Sequence, residues 1–375
     1  MGTEAKTSLC KVLFIGPYRQ PDGWGSFSRS IIASLLSIEK INLTTRPIFL
    51  SNSPEFSSEV SPELRQVWGA LPLDPNIFKC EINKQTDYDV LIQHSLPNFM
   101  VGSESFNMNI GITSFETKGN SQWDNHLGLL DKILVATEAE KQCVSPQFQN
   151  ITHTIGGVVA NIVPEAQELT NRFSFYAFGG HLETKSGLLS VLQTYLSEFH
   201  INENVSLIVH TTNTPMAQEL INATAASLGI YKRQYYPHIH IVAENPEDSL
   251  HKGCQCLIDM GVTRGFKGEV AKGLLYGKTP IILEGSGMDE YIDNSNGWIV
   301  QSSESLLVCP DRPLPNVFTA RESCLIPDKA SLGKCMRNAF DNHSLYTKKS
   351  TNGKASSASF SPEKQRDAIK EVLYL

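Results

Sequence analysis

The stretch FSFYAFGGHLETKSGLLSVLQTYLSEF, residues 173–199, decides the fold. It opens on an apolar run, stops at Gly179 and Gly180, crosses a short polar loop, and resumes with apolar residues spaced for one helix face. A continuous apolar run bounded by glycines reads as a strand buried on both sides, and such strands belong to parallel sheets covered by helices. The same order of strand, glycines and helix already occurs at the start of the chain, where KVLFIG at 11–16 leads into SFSRSIIASLLSIEK at 26–40. Further strands are expected at Thr45–Leu50, Asp89–Gln93, Asn109–Thr113 and Lys132–Ala136. After the restart come VSLIVHT at 205–211, a helix at 215–228, HIHIVAE at 238–244, CLIDMGV at 256–262, a helix near 269–276, and TPIILEG at 279–285. Two successive βα arrays, separated near 155–172, predict an α/β protein of two Rossmann-like, doubly wound parallel-sheet domains. Their expected extents are 1–160 and 170–350. Residues 309–329 carry four prolines and read as loop, and SLYTKKSTNGKASSASFS at 344–361 reads as a polar surface linker. SPEKQRDAIKEVLYL at 361–375 has a Ser-Pro-Glu start and apolar spacing for a last helix, expected to pack back on the first domain.

Composition narrows the function classes. With 375 residues, 41% hydrophobic and 19% charged, the chain is long enough for two cores and excludes disordered, collagen-like and disulfide-miniprotein classes. Lys and Arg total 32 against 39 Asp and Glu, a net charge of −7, so a polyanion could be held only by a local basic patch. The cysteines, among them the close pair Cys254 and Cys256, show no zinc spacing and read as small buried hydrophobes. No metal or other cofactor is expected. The apolar run before Gly16 is too short for a signal peptide or a membrane span, which points to a cytoplasmic protein. Lys6 stands where a myristoylation signal would carry Ser or Thr.

Three segments carry candidate chemistry. GPYRQPDGWGSFSR at 16–29 joins a strand to a helix, and its glycines are either an ordinary connection or a cradle where backbone amides meet an anion. It is neither a dinucleotide fingerprint nor a P-loop. In FGGHLETKSGLL at 178–189, Lys185 and His181 precede a helix start, an arrangement suited to a diphosphate. In GVTRGFKGEVAKGLLYGKTPIILEGSGMDEY at 261–291, Arg264, Lys267 and Lys272 crowd a stretch around Glu269 at the carboxyl end of a buried strand. Such a cluster is a solvated face or, at that edge of a sheet, a ligand site.

Taken together, the two arrays, the first glycine loop, GGHLETKSG and GFKGEVAKGLLYGKTPII resemble nucleotide-sugar glycosyltransferases of the GT-B fold, specifically the retaining family 4. The resemblance covers most of the chain, including DYDVLIQHSLP, NIGITSFETKGNSQWDNHLGLLDKILVATEAEK and the NGWIV turn. It implies transfer of a hexosyl or pentosyl group from a nucleoside diphosphate sugar, with retention and without a metal. Gly23, Gly25 and Ser26 would face the donor phosphates, and His181 and Lys185 would grip the diphosphate. Ala243, Glu244 and Asn245 would hold the base, and Gly265, Phe266, Gly287, Met288 and Asp289 would lie beside the donor. Lys185, Arg264 and Glu116 would carry the chemistry, with His94 and Arg19 on the acceptor side. His94 also reads as a satisfied residue near the core. The acceptor is a saccharide, a protein or, as in some virus-encoded transferases, a modified DNA base approached by a rim containing Arg19 and Arg29.

One departure stands out. Where the family pattern has two glutamates eight residues apart, this chain has Arg264 and Lys272. A donor with an acidic sugar or altered nucleotide, a realigned site that uses Glu269, and an inactive binding protein of the same fold each account for it.

Overall fold

The computed structural model describes residues 9–20, 23–50, 74–119, 121–159, 171–180, 186–211, 213–230, 235–243, 247–306 and 322–375. The chain divides into two compact units: one runs to Val158 and takes back Phe360–Leu375, and the other holds Val159–Cys309 and Ser323–Ser359.

In the first unit, β1 (Cys10–Gly16), β2 (Ile41–Pro47), β3 (Val90–His94), β4 (Met108–Ile112), β5 (Lys132–Val135) and β6 (Thr152–Thr154) form a sheet ordered β2-β1-β3-β4-β5-β6. Every pairing in it is parallel. β3 is buried along its whole length, as expected of a central strand with covered faces. Helix α1 (Gly23–Leu36) packs its Ile31, Ile32 and Leu35 into the same core as Val12, Phe14, Ile92 and Ile110. The shorter helices of this unit are α2 (Pro75–Ile82), α3 (Asp124–Leu127) and α4 (Glu138–Lys141).

In the second unit, β7 (Phe173–Gly180), β8 (Val205–Thr211), β9 (His238–Val242), β10 (Cys256–Asp259), β11 (Ile281–Leu283) and β12 (Trp298–Val300) form a second parallel sheet. Its order is β12-β11-β10-β7-β8-β9, so the direction of winding reverses between β7 and β10. Helices α5 (Leu188–Glu198), α6 (Thr214–Ser227), α7 (Glu247–Gly253) and α8 (Gly268–Leu275) alternate with these strands. The α/β expectation of two doubly wound parallel sheets is therefore met.

Two stretches expected to be irregular are ordered where they are described, 309–321 lying outside the described residues. Within 309–329, Ser323–Pro327 is a strand, β14, paired antiparallel with β13 (Ser302–Leu306), and α9 (Lys329–Asp341) begins with Asp328 capping the Ser331 amide. The stretch expected as a linker at 344–361 is mostly helix α10 (His343–Ser356). Apart from Tyr346, which packs its ring on Phe173 at the edge of the core, its anchors are polar: the Lys349 ammonium donates to the Gly297 carbonyl at 2.7 Å and lies 5.1 Å from the Trp298 ring centre. A Cβ on Gly353 would come within 2.8 Å of Leu274, so the helix sits tight against α8 without an apolar stripe.

The last helix, α11 (Pro362–Leu373), is capped by Ser361 and has proline in its first turn. Its Ile369, Val372 and Leu373 join the first unit's core. Ser34 of α1 donates to the Gln365 amide oxygen at 2.9 Å, and Gln365 in turn donates to the Gly156 carbonyl at 3.0 Å.

Candidate functional site

At the carboxyl edge of the first sheet, the glycine loop is folded on itself. Tyr18 is fully buried and donates to Glu81, which also takes a two-point ion pair from Arg19 at 2.7 and 3.1 Å. Arg29 donates to the carbonyls of Tyr18 and Gln20 at 2.9 and 2.7 Å. The rim expected from Arg19 and Arg29 is thus corrected: one cation carries its own counterion and the other clamps the loop. The helix starts earlier than the sequence suggests, so Gly23, Gly25 and Ser26 lie in the first turn of α1. Gly25 has a local cause, since a Cβ there would sit 1.9 Å from the Gln20 carbonyl oxygen.

His94, placed on the acceptor side by the sequence, is 2% exposed. Its Nδ1 lies 2.6 Å from the Ser28 hydroxyl, Trp24 stacks on the ring at 5.0 Å, and Phe27 meets it edge-on. Burial pushes its pKa down to about 3, so the ring is neutral. The satisfied near-core reading is the one realised. Glu116 falls in the loop after β4, at the same edge of the sheet, and is half-buried.

The second unit holds a pocket at the carboxyl ends of its strands. A cavity of about 250 Å³ opens where the winding reverses, lined by Ala177 and Phe178 of β7, Leu257–Asp259 of β10, Ser186, Leu188 and Val191 at the start of α5, and Phe266–Glu269 at the start of α8. Open α/β sheets bind ligands at such a reversal, outside the carboxyl ends of the strands. Its floor is apolar, Phe178 and Phe266 supply aromatic walls, and Ser186, Asp259, Lys267 and Glu269 supply the polar groups. A few polar groups over an apolar floor suit a ring with hydroxyls. Gly187, at φ +66°, lets α5 begin hard against β10, since a Cβ there would lie 1.8 Å from the Met260 carbonyl oxygen.

Glu269 dominates the wall chemically. One carboxylate oxygen accepts from His251 Nε2 at 2.9 Å and the other from Lys272 Nζ at 2.8 Å, while His251 Nδ1 meets the Tyr176 hydroxyl at 2.7 Å. Burial alone would raise the Glu269 pKa, but the His251 hydrogen bond and the Lys272 charge outweigh it and hold the carboxyl below the usual range.

The remaining sequence candidates are distributed as follows. Phe266 lines the pocket, and Lys272 reaches it through Glu269. Arg264 does not present its charge there: its side chain is 4% exposed, and Nη2 is 2.7 Å from Glu304 of the β13–β14 hairpin. Gly265 donates to the Ser286 carbonyl at 2.8 Å, and Met288 is fully buried with its sulfur accepting from the Lys267 amide. The Asp289 carboxylate closes its own turn, accepting from the amides of Gly285 at 2.8 Å and Gly287 at 3.0 Å. Ala243 directly follows β9. His181, Lys185, Glu244 and Asn245 lie outside the described residues. The sequence singled out neither Tyr176 nor His251, which sit 75 positions apart. No cluster of His, Cys, Asp and Glu suited to a metal ion occurs among the described residues.

No protein-family model and no curated protein matches the chain. Solved structures do. The Anabaena HepE protein in complex with UDP-glucose superposes with a TM-score of 0.62 at 10% identity, over 97% of this chain and 99% of that one. This is the GT-B fold. The sucrose-phosphate synthase of Thermosynechococcus elongatus gives a TM-score of 0.63 at 11% identity, over 97% and 98% of the two chains. A glycosyltransferase from Rickettsia africae gives 0.59 at 12% identity, over 97% and 99%. At these identities the GT-B likeness fixes the architecture of two Rossmann-like units.

Proposed function

We propose that this GT-B chain is a glycosyltransferase that takes its sugar from a nucleoside diphosphate donor and transfers it with retention, without a metal. The observation that carries this reading is the pocket at the strand reversal of the second unit, walled by Phe178, Phe266 and Glu269 between the starts of α5 and α8. Free amides at helix starts favour the negative charge of a diphosphate. The HepE likeness, found in a complex with UDP-glucose, adds weight to a nucleotide-sugar ligand.

In this reading the protein stabilises the departing diphosphate. Lys185 and His181 in the β7–α5 connection supply the local positive charge, and cationic or N–H groups aimed at developing charge are the largest lever such an enzyme has. With retention, the acceptor hydroxyl attacks the face from which the diphosphate leaves. The leaving phosphate takes the acceptor's proton, so no protein base is needed. In this reading the charged side chains of the 264–272 stretch that meet the donor are the pocket-lining Lys267 and Glu269 rather than Arg264. A DNA-base acceptor is not favoured, because Arg19 is paired with Glu81 of α2 and Arg29 is bound to the carbonyls of its own loop.

The test is a donor-consumption assay across a panel of nucleotide sugars, with mass spectrometry of the product. One donor should be turned over, and Lys185→Ala should lower its turnover by about 100-fold while leaving thermal unfolding unchanged. Consumption of none of the donors, or an undiminished rate in the variant, defeats the reading or its assignment of Lys185 respectively.

A further inference from the structure

The polar chain behind Glu269 is longer than a surface ion pair requires. Tyr176 on β7 and His251 on α7 are both fully buried, and both stand behind the pocket wall. Burial raises the Tyr176 pKa well above its ordinary value, so the phenol keeps its proton. Donating that proton to His251 Nδ1 at 2.7 Å leaves Nε2 to carry the imidazole hydrogen, which points to Glu269 at 2.9 Å. The imidazole has little freedom to turn. Tyr276 stacks on it at 5.5 Å and 23°, and Phe178 packs against it at 5.5 Å.

Three elements thus converge on one carboxylate. His251 takes one oxygen and Lys272 the other, yet each carboxylate oxygen has a further lone pair, and the side chain is 27% exposed on the pocket wall. What Glu269 adds to the wall, alongside Ser186, Asp259 and Lys267, is a pair of fixed acceptors. Such a pair is complementary to hydroxyls of a nucleoside or sugar and repels an anion. A surface glutamate paired only with Lys272 would spread over several rotamers; the buried relay removes that freedom before any ligand arrives, and preorganised acceptors gain affinity by sparing that cost.

We propose that Glu269 reads hydroxyl groups of the donor, and that His251, locked by Tyr176, is the positioning residue that aims its carboxylate. The inference rests on the donor reading above. Its test is calorimetric titration of UDP, ADP and GDP into the full chain and into Glu269→Gln, His251→Ala, His251→Gln, Tyr176→Phe and the His251→Ala/Glu269→Gln double variant. Unfolding midpoints without ligand are taken for each.

For whichever nucleotide the wild type binds, Glu269→Gln should weaken binding by about 10-fold, the scale of one lost hydrogen bond to a charged group. His251→Ala should weaken it several-fold, His251→Gln should recover most of that through its amide N–H, and Tyr176→Phe should fall between. In the double variant His251→Ala should add nothing, because its effect runs through Glu269. Undiminished affinity in Glu269→Gln, or additive losses in the double variant, overturns the inference and leaves the donor reading standing. Wild-type protein that binds none of the three nucleotides removes both.

Discussion

Arg264→Glu, which places a glutamate where the glycosyltransferase pattern has one, should destabilise the second unit and restore nothing. The guanidinium is 2.7 Å from Glu304, with its own side chain 4% exposed and Glu304 45% exposed. The Ser323 carbonyl faces the same group at 3.5 Å, so both strands of the β13–β14 hairpin converge on it, and Leu325 adds an amide bond to the Val262 carbonyl. At an effective dielectric near 20, unit charges about 4 Å apart attract by about 4 kcal/mol. The exposed Glu304 is screened by water, which leaves about 1–2 kcal/mol of that. Reversing the sign removes this attraction, adds a repulsion of similar size, and strands a carboxylate in a site with almost no water. Glu304 can swing outward to relieve part of it. A net loss of about 3 kcal/mol remains. With a urea m-value of about 3 kcal/mol per molar, the second unit's midpoint should fall by about 1 M. Adding Glu304→Lys, which swaps the pair, should recover most of the loss. A midpoint for Arg264→Glu within about 0.2 M of wild type would refute the claim that this cation serves the hairpin.

Two further predictions concern the interior. Burial holds the His94 ring at a pKa of about 3, while the unfolded chain takes up that proton near pH 6.5, so stability attributable to this ring falls as pH drops from 6.5 towards 3. His94→Gln should flatten the dependence of the urea midpoint on pH across that window; an unchanged slope would contradict the neutral buried ring. Gly187→Ala should destabilise the second unit by about 2–4 kcal/mol, because its φ of +66° is strained for a side chain and the new Cβ would overlap the Met260 carbonyl. Equal thermal midpoints for the two proteins would show that α5 starts with more room than the structure allows.

How much of this was legible in the sequence depends on how each element is held. Both sheets were legible because their strands are held by burial: runs such as Val205–Thr211 and Phe173–Gly180 are mostly apolar, and their limits agree with the expectation. Helix α10 was not, because it is anchored by the Lys349 ammonium on backbone carbonyls and by the missing side chain of Gly353, neither of which makes an apolar period. β14 was hidden for a related reason, its partner β13 being a run of Ser302, Ser303, Glu304 and Ser305 with no buried face. At the candidate site, the sequence singled out the 264–272 stretch, of which Phe266–Glu269 line the pocket while Arg264 turns to Glu304 instead. Tyr176 and His251 could not have been found from local pattern, since a tyrosine in an apolar strand and a histidine in a short helix become partners only when β7 and α7 pack together.

The presence of Arg264 and Lys272 where the resemblance would put two glutamates then loses much of its force as a change of sign. Each cation brings an acid with it: Arg264 is matched by Glu304, and Lys272 by Glu269. What the pocket wall meets is the second of those acids, one helical turn before the position at which the resemblance would put it. Residues three apart on a helix share a face, so the shift moves the carboxylate along the wall without turning it away. It also carries the negative charge into the first turn of α8, where the helix dipole favours it, and leaves Lys272 in the last turn, where a cation is favoured. The same arrangement explains why a histidine relay is needed. A glutamate in the second turn would be steadied by the packing of the helix around it, whereas one at the helix start has fewer neighbours and needs a fixed partner from another element. His251 is that partner: it is fully buried and lies 2.9 Å from the Glu269 carboxylate, so under the proposed donor reading its burial, rather than the charge of Lys272, fixes where the carboxylate points.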